Sequence, residues 1–426
     1  MYALIIIVFV LGYAAIAFEH SIKINKAATA LLTGVLCWAI YIMTASGEME
    51  TEHILGELMH HFGGISGILF FLLGAMTIVE LIDAHDGFNA VTDLIRTTDK
   101  RKLLWIISFI AFFLSSVLDN LTTTIVMVSL IRKLISAKND RLLFVGMIII
   151  AANAGGAWSP IGDVTTTMLW IGGQITTAHI IPSLILPCLV CLTVPLIVLS
   201  FSMKGKIEQI NIKSEPKSAS KFDRNLILFT GIGALVFVPV FKVITHLPPF
   251  MGVLFGLGIL WIVSEIIHKD KDDADKDSYS IVHALRKIDA SSILFFLGIL
   301  IAISALESTK QLSELAAYMD NKIGNESIIV LSIGLFSAVI DNVPLVAASM
   351  GMYDLSVYPT DHFFWEFLAY CAGTGGSILI IGSAAGVAAM GMEKIEFFWY
   401  LKKIGWLALL GYVGGSLVYI LQSHLV

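Results

Sequence analysis

Three aspartates lie deep inside apolar segments of this 426-residue chain: Asp119, Asp163 and Asp341. A carboxylate at membrane depth costs about 2.5–3.5 kcal/mol on insertion scales, so each one marks a function by default. Two of them recur with the same neighbour, as Asp119-Asn120 and Asp341-Asn342. Asp-Asn is also good turn chemistry, which makes a purely structural cap the plain alternative. Its recurrence at equivalent places in two halves of the chain favours the functional reading. Neutral oxygen donors accompany the acids: Thr123 and Thr124 after the first pair, then Asn153, Ser159 and Thr166, and later Thr374, Ser377 and Ser383. Ser383 stands where Asp163 stands. Carboxylates, carboxamides, hydroxyls and freed backbone carbonyls are hard ligands and suit a small dehydrated alkali cation. For any single hydroxyl, hydrogen-bonded packing between helices is the competing role.

The sign of the cargo follows from what the tips lack. No lysine or arginine falls within either Asp-Asn tip or either Gly-rich break. An anion carrier would hold its substrate beside uncompensated acids at low dielectric, which is unfavourable. A sodium ion neutralises Asp119, Asp163 and Asp341, and so does a proton, because burial disfavours the charged form. Competition between the two is the core of an exchange mechanism. Other ionisable groups carry less. Glu80, with Asp83, His85 and Asp86, ends a crossing, as a proton relay or as solvated interface. Glu366, two turns before Gly373, is a weaker relay candidate. His60 and His61 read as surface residues, with pH sensing as the alternative. Cys188 and Cys191 form a C-x-x-C, but they sit in an apolar run and read as packing.

The elements that must position these groups follow from composition. Apolar residues are 57% and charged residues 14%, against roughly 25% charged in soluble proteins, and mean hydropathy is +0.85. The chain therefore reads as an all-α, multi-pass membrane protein. A net charge of −6 without a basic block excludes nucleic acid as a partner. Apolar segments cover 2–18, 27–46, 65–82, 103–118, 121–135, 142–172 and 178–203, with a polar stretch at 48–61 expected to lie along the surface. The same order returns at 226–243, 252–267, 291–306, 327–340, 343–351, 363–390 and 395–421. The segment 142–172 is overlong and interrupted at Asn153-Ala154-Gly155-Gly156 and Pro160; 363–390 is interrupted at Gly373-Thr374-Gly375-Gly376. Matching runs (Ile68–Leu72 with Ile293–Leu297, Ser116–Asn120 with Ala338–Asn342) occur in the same sequence of events, which points to a duplication.

Basic residues give the orientation. If residues 103–136 and 327–352 are hairpins that enter and leave on one side, each half has five crossings and the second half is inverted. With both termini outside, every lysine and arginine except Lys242, Lys310 and Lys322 then falls on the cytoplasmic side. Counting the hairpin arms as true crossings would scatter them. The expected architecture is ten transmembrane helices plus two re-entrant hairpins in two inverted repeats, 1–203 and 225–426, joined by a cytoplasmic linker at 204–224. Broken helices at 142–172 and 362–390 would meet at the midplane, where such repeats hold substrate.

The runs Ser115–Thr124 and Asn153–Thr166, with Asp341-Asn342-Val343-Pro344-Leu345, resemble the NhaD-type sodium/proton antiporters of the ion-transporter superfamily, and the similarity extends over the whole chain. That resemblance implies exchange of Na⁺ or Li⁺ for H⁺ in a bacterial inner membrane and a role in pH homeostasis. It also implies a homodimer whose transport part moves against a fixed scaffold. Dicarboxylate carriers of the same superfamily resemble Ser-Asn-Thr at the tips; here Asp119 and Asp341 take the serine place, and Leu121 and Val343 the threonine place. The leading expectation is therefore secondary exchange without a cofactor, Na⁺ being held at Asp119, Asp163 and Asp341. A sodium-coupled symporter of a small anion is the alternative. An intramembrane aspartyl enzyme could use paired acids, but it would need neither the repeat nor the Gly-rich breaks.

Overall fold

The computed structural model describes residues 2–45, 47–88, 97–207, 220–269, 279–339 and 341–425. Most of the linker expected at 204–224, the acidic stretch Asp270–Asp277, and the basic residues Arg96, Lys213, Lys217, Lys271 and Lys276 lie outside the described residues. What is described is helical apart from one isolated antiparallel bridge between Asp99 and Lys206.

Eight of the described helices are long and apolar enough to cross a bilayer: Glu48–Ala84, Lys100–Leu118, Lys138–Ala157, Thr177–Ser202, Lys221–Thr245, Pro249–Ile267, Ala290–Ser308 and Phe397–Ser423. Tyr2–Ala17 and Lys26–Ile42, with 16 and 17 residues, rise about 24–26 Å, slightly less than the hydrocarbon core of about 30 Å. Three details differ from the sequence reading. The polar stretch at 48–61 does not lie apart: with no proline to stop it, Glu48–Ala84 runs as one helix of 37 residues. Two amphipathic helices, Ile281–Lys287 and Gln311–Lys322, were not anticipated from hydropathy. The breaks also fall later than the glycines suggested. Asn153, Gly155 and Gly156 are still helical, the first helix ending at Ala157 and resuming at Val164. The second ends at Gly375 and resumes at Ala384.

Close approach explains those glycines. A Cβ on Gly155 would lie 2.1 Å from the Phe112 carbonyl oxygen, and one on Gly375 would lie 2.1 Å from that of Gly334. Both contacts press a broken helix onto the first arm of its own hairpin. The Ser115 hydroxyl donates to the Ala152 carbonyl at 2.6 Å, and the Ser337 hydroxyl to the Ala372 carbonyl at 2.8 Å. The same joints thus recur in both halves of the chain.

The helices sort into two bundles. One contains Tyr2–Ala17, Lys26–Ile42, Glu48–Ala84, Lys221–Thr245, Pro249–Ile267 and Ala290–Ser308. The other contains both hairpins (Lys100–Leu118 with Asn120–Leu134, Glu326–Phe336 with Asn342–Met352), both broken helices, Thr177–Ser202 and Phe397–Ser423. Cys188 and Cys191 are buried and free in the second bundle, as the packing reading requires.

Candidate ion-binding site

Each hairpin turns on its Asp-Asn pair, and each tip meets a helix break. At the first tip, Asp119 has φ 80° and ends one arm while capping the next. With ψ at 159° this is a region otherwise almost confined to glycine, and it costs a residue with a Cβ about 1–3 kcal/mol. Its two carboxylate oxygens accept from the Thr122 backbone N–H and hydroxyl, both at 2.8 Å. At the second tip, Asp341 caps Asn342–Met352 through the Val343 N–H at 3.3 Å.

Asp163 lies between the tips. It caps Val164–Ile171, its Oδ1 accepting from the Thr165 N–H at 3.0 Å, and it is 2% exposed. Its Oδ2 accepts from Asn120 Nδ2 at 2.9 Å and from Asn342 Nδ2 at 3.5 Å. One carboxylate oxygen therefore faces the carboxamides of both hairpins. Asp163 also feels the charges of Asp119 and Asp341. Asn120 Nδ2 bonds Asn153 Oδ1 as well, at 3.0 Å, and Asn153 Nδ2 continues to the hydroxyls of Ser377 and Ser383, both at 2.9 Å. The polar centre is thus a buried chain from one half to the other: Asp163, Asn120, Asn153, Ser377 and Ser383, with Asn342 completing it. A cavity of about 20 Å³, lined by Asp119 and Asp163 together with Phe71, Met76, Thr167 and Leu235, opens beside it. That volume holds roughly one water or one bare cation.

The structure divides the remaining candidates. Thr123 and Thr124 are fully buried, and among the described residues their hydroxyls have no hydrogen-bond partner, nor does that of Thr165. A buried hydroxyl in that condition costs about 1–3 kcal/mol unless something fills the place. Thr374 donates to the Tyr370 carbonyl at 2.6 Å and is buried near the second break. Ser159 and Thr166 serve the first break locally, Ser159 accepting from the Ile161 N–H and Thr166 donating to the Asp163 carbonyl at 2.9 Å. Glu80 and Glu366 do not join the centre. Glu80 pairs with Lys287 at 3.3 Å, while Glu366 pairs with His179 at 2.7 Å and accepts from the Tyr419 hydroxyl at 2.9 Å.

One expectation needs correction. The acids were read as free of basic partners, yet Lys26 Nζ lies 3.1 Å from Asp341 Oδ2. Lys26 sits at the start of a helix in the other bundle, and its distance of 315 residues in sequence hid the pairing. Hydropathy also missed Glu393. This carboxylate, 1% exposed, is held by Arg132 Nε at 2.7 Å and Arg141 Nε at 2.8 Å, joining the end of the second broken helix to the first hairpin. The basic cluster around 132–141 was visible in the sequence but read only as an orientation signal.

A multi-pass helical bundle in which two hairpin tips and two helix breaks meet around a buried acid defines a membrane transporter. Over residues 13–373 the chain matches the family model described as "Citrate transporter". It is 51% identical over 420 residues to sodium/proton antiporter 1 of Arabidopsis thaliana, covering 98% of this chain and 72% of that one. It is 30% identical over 452 residues to the Na(+)/H(+) antiporter NhaD of Vibrio cholerae, covering 98% and 91%. The YdaH transporter of Alcanivorax borkumensis shares the fold, with a TM-score of 0.59 at 10% identity over 88% of this chain and 89% of that one. The chain belongs to the NhaD-type sodium/proton antiporter family, within the wider group covered by that family model.

Proposed function

We propose that this protein exchanges cytoplasmic Na⁺, and Li⁺ in its place, for external H⁺ by competition at buried carboxylates. The observation that carries the reading is Asp163: a buried acid that, among the described residues, has no basic partner and faces two carboxamides. Sodium entering this centre would replace hydrogen bonds to Asp163 by oxygen ligands from Asn120, Asn153, Asn342, Thr123 and Thr124. A proton on the same carboxylate would restore the neutral hydrogen-bonded state. Asp119 opens on the same cavity and shares the charge. The occupied centre is neutral and can move between faces, whereas a bare acid resists desolvation.

The two chain halves, 1–203 and 225–426, act as inverted repeats with re-entrant hairpins, so that the tips approach the centre from opposite sides. The recurring joints Gly155–Phe112 and Gly375–Gly334 support this reading. The hairpin bundle is the moving part and the other bundle the scaffold, in a homodimer. The bilayer is a bacterial inner membrane with both termini outside.

Purified protein in proteoliposomes with an imposed pH gradient gives the test. Na⁺ and Li⁺ should dissipate the gradient at concentrations where K⁺ does little. No cation-dependent dissipation at any pH from 6 to 9 would overturn the reading. Sodium-coupled uptake of a small carboxylate is the second reading, and the description of the family model favours it. Against it, Lys26, the one basic side chain paired with a tip acid among the described residues, is occupied by Asp341. Sodium-driven accumulation of labelled citrate or succinate would establish it.

A further inference from the structure

We propose that Lys26 is a built-in competitor of the transported cation: an ammonium group anchored on one bundle that occupies Asp341 and withholds it from sodium. This deepens the antiport reading and rests on it. Lys26 Nζ lies 3.1 Å from Asp341 Oδ2 and 4.3 Å from the ring centre of Phe295. Both side chains of the pair are largely covered, at 25% and 17% exposed. Glu19 accepts from the Lys26 backbone N–H at 3.0 Å.

Three features make this pairing more than a surface contact. First, it bridges the two bundles. Lys26 opens the helix Lys26–Ile42, which is locked to Ala290–Ser308: a Cβ on Gly298 would lie 2.4 Å from the Leu31 nitrogen, and one on Gly34 would lie 2.6 Å from the Gly298 carbonyl oxygen. Asp341 rides on the tip of the second hairpin in the other bundle. Any displacement of one bundle past the other must break the pair. Second, a lysine in the first turn of a helix opposes the macrodipole, which favours anions there. Asp341 answers that misplaced charge, so the lysine gains most when the tip is docked. Third, the pairing is one-sided. Among the described residues no lysine or arginine forms a salt bridge with Asp119, whose cavity is lined instead by Phe71, Leu72, Met76 and Leu235. The two tips are alike in sequence but differ in electrostatics: one acid is open to cargo, and the other is already neutralised in this conformation. Cation binding at Asp341 requires Lys26 to leave, which links occupancy of that tip to movement of the bundles.

Lys26 acts through Asp341 and is a positioning residue, so its test separates affinity from turnover. In proteoliposomes, Lys26→Gln should lower the apparent KM for sodium by about two- to fivefold, the size of a partly screened ion pair, while kcat falls. Lys26→Arg, which keeps the charge, should return both toward wild type. An unchanged KM and kcat in Lys26→Gln would overturn the proposal. So would a loss in Lys26→Gln that Lys26→Arg does not repair, since shape rather than charge would then be at work. Sodium-dependent thermal stabilisation of the purified proteins gives an independent comparison. There, Lys26→Gln should add nothing in an Asp341→Asn background, and a further shift in the double variant would overturn the coupling. Absence of exchange in the wild type sinks the antiport reading and this role with it, whereas an active wild type with an indifferent Lys26→Gln sinks the role alone.

Discussion

Ser383 occupies in the second broken helix the place that Asp163 holds in the first. Both cap the resuming helix, with φ and ψ of −145° and 153° for Ser383 and −146° and 147° for Asp163. The two caps share a backbone conformation but not a charge. Asn153 reads the difference, since its amide nitrogen is bonded to Ser383 while its oxygen accepts from Asn120 beside Asp163.

Asp163→Asn keeps a side-chain oxygen to cap the helix but removes the ionisable group. We expect a folded protein whose sodium-dependent proton flux in proteoliposomes falls to background. Exchange at even a tenth of the wild-type rate would remove Asp163 from the mechanism.

Asp119→Asn and Asp341→Asn test the tips. Asn matches Asp in size and keeps a side-chain oxygen for the cap at each tip, so neither change should unfold the chain, and each should abolish sodium-driven proton release from vesicles. Full exchange at saturating sodium by either variant would exclude that residue.

Competition also fixes the direction of the pH response. Lowering pH raises the protonated fraction of the acids, so the apparent KM for sodium should climb as the medium acidifies while the rate at saturating sodium changes less. A KM independent of pH across the active range would argue for separate proton and sodium sites.

Glu393→Gln leaves Arg132 and Arg141 facing an uncharged group in a covered site. Breaking one partner of a buried ion pair costs about 3–5 kcal/mol, and Arg141 is the better buried of the two. A clear drop in melting temperature in detergent is expected, larger than that from Arg132→Ala, whose side chain is half exposed.

Much of the centre was legible in the sequence because burying charge in an apolar segment is costly and therefore conspicuous. Asn120, Asn153, Asp163, Asn342, Ser377 and Ser383, all picked out by type and spacing, are joined by hydrogen bonds, and Asp119 lines a cavity with Asp163. The glycines misled about where the helices unwind: Gly155 and Gly375 are needed for close packing, and the chain leaves the helical path only after them. Lys26 was read as one more cytoplasmic charge, because nothing local to residue 26 announces a partner on a distant hairpin. Glu393 escaped for the same reason, its role being set by arginines from other helices.

The carboxamide of Asn153, bonded on one side to Asn120 and on the other to Ser377 and Ser383, has a consequence for how such a protein can be divided. The polar chain draws on both halves of the sequence, so a chain severed at the connector should regain activity only when both fragments are made together and find each other in one membrane.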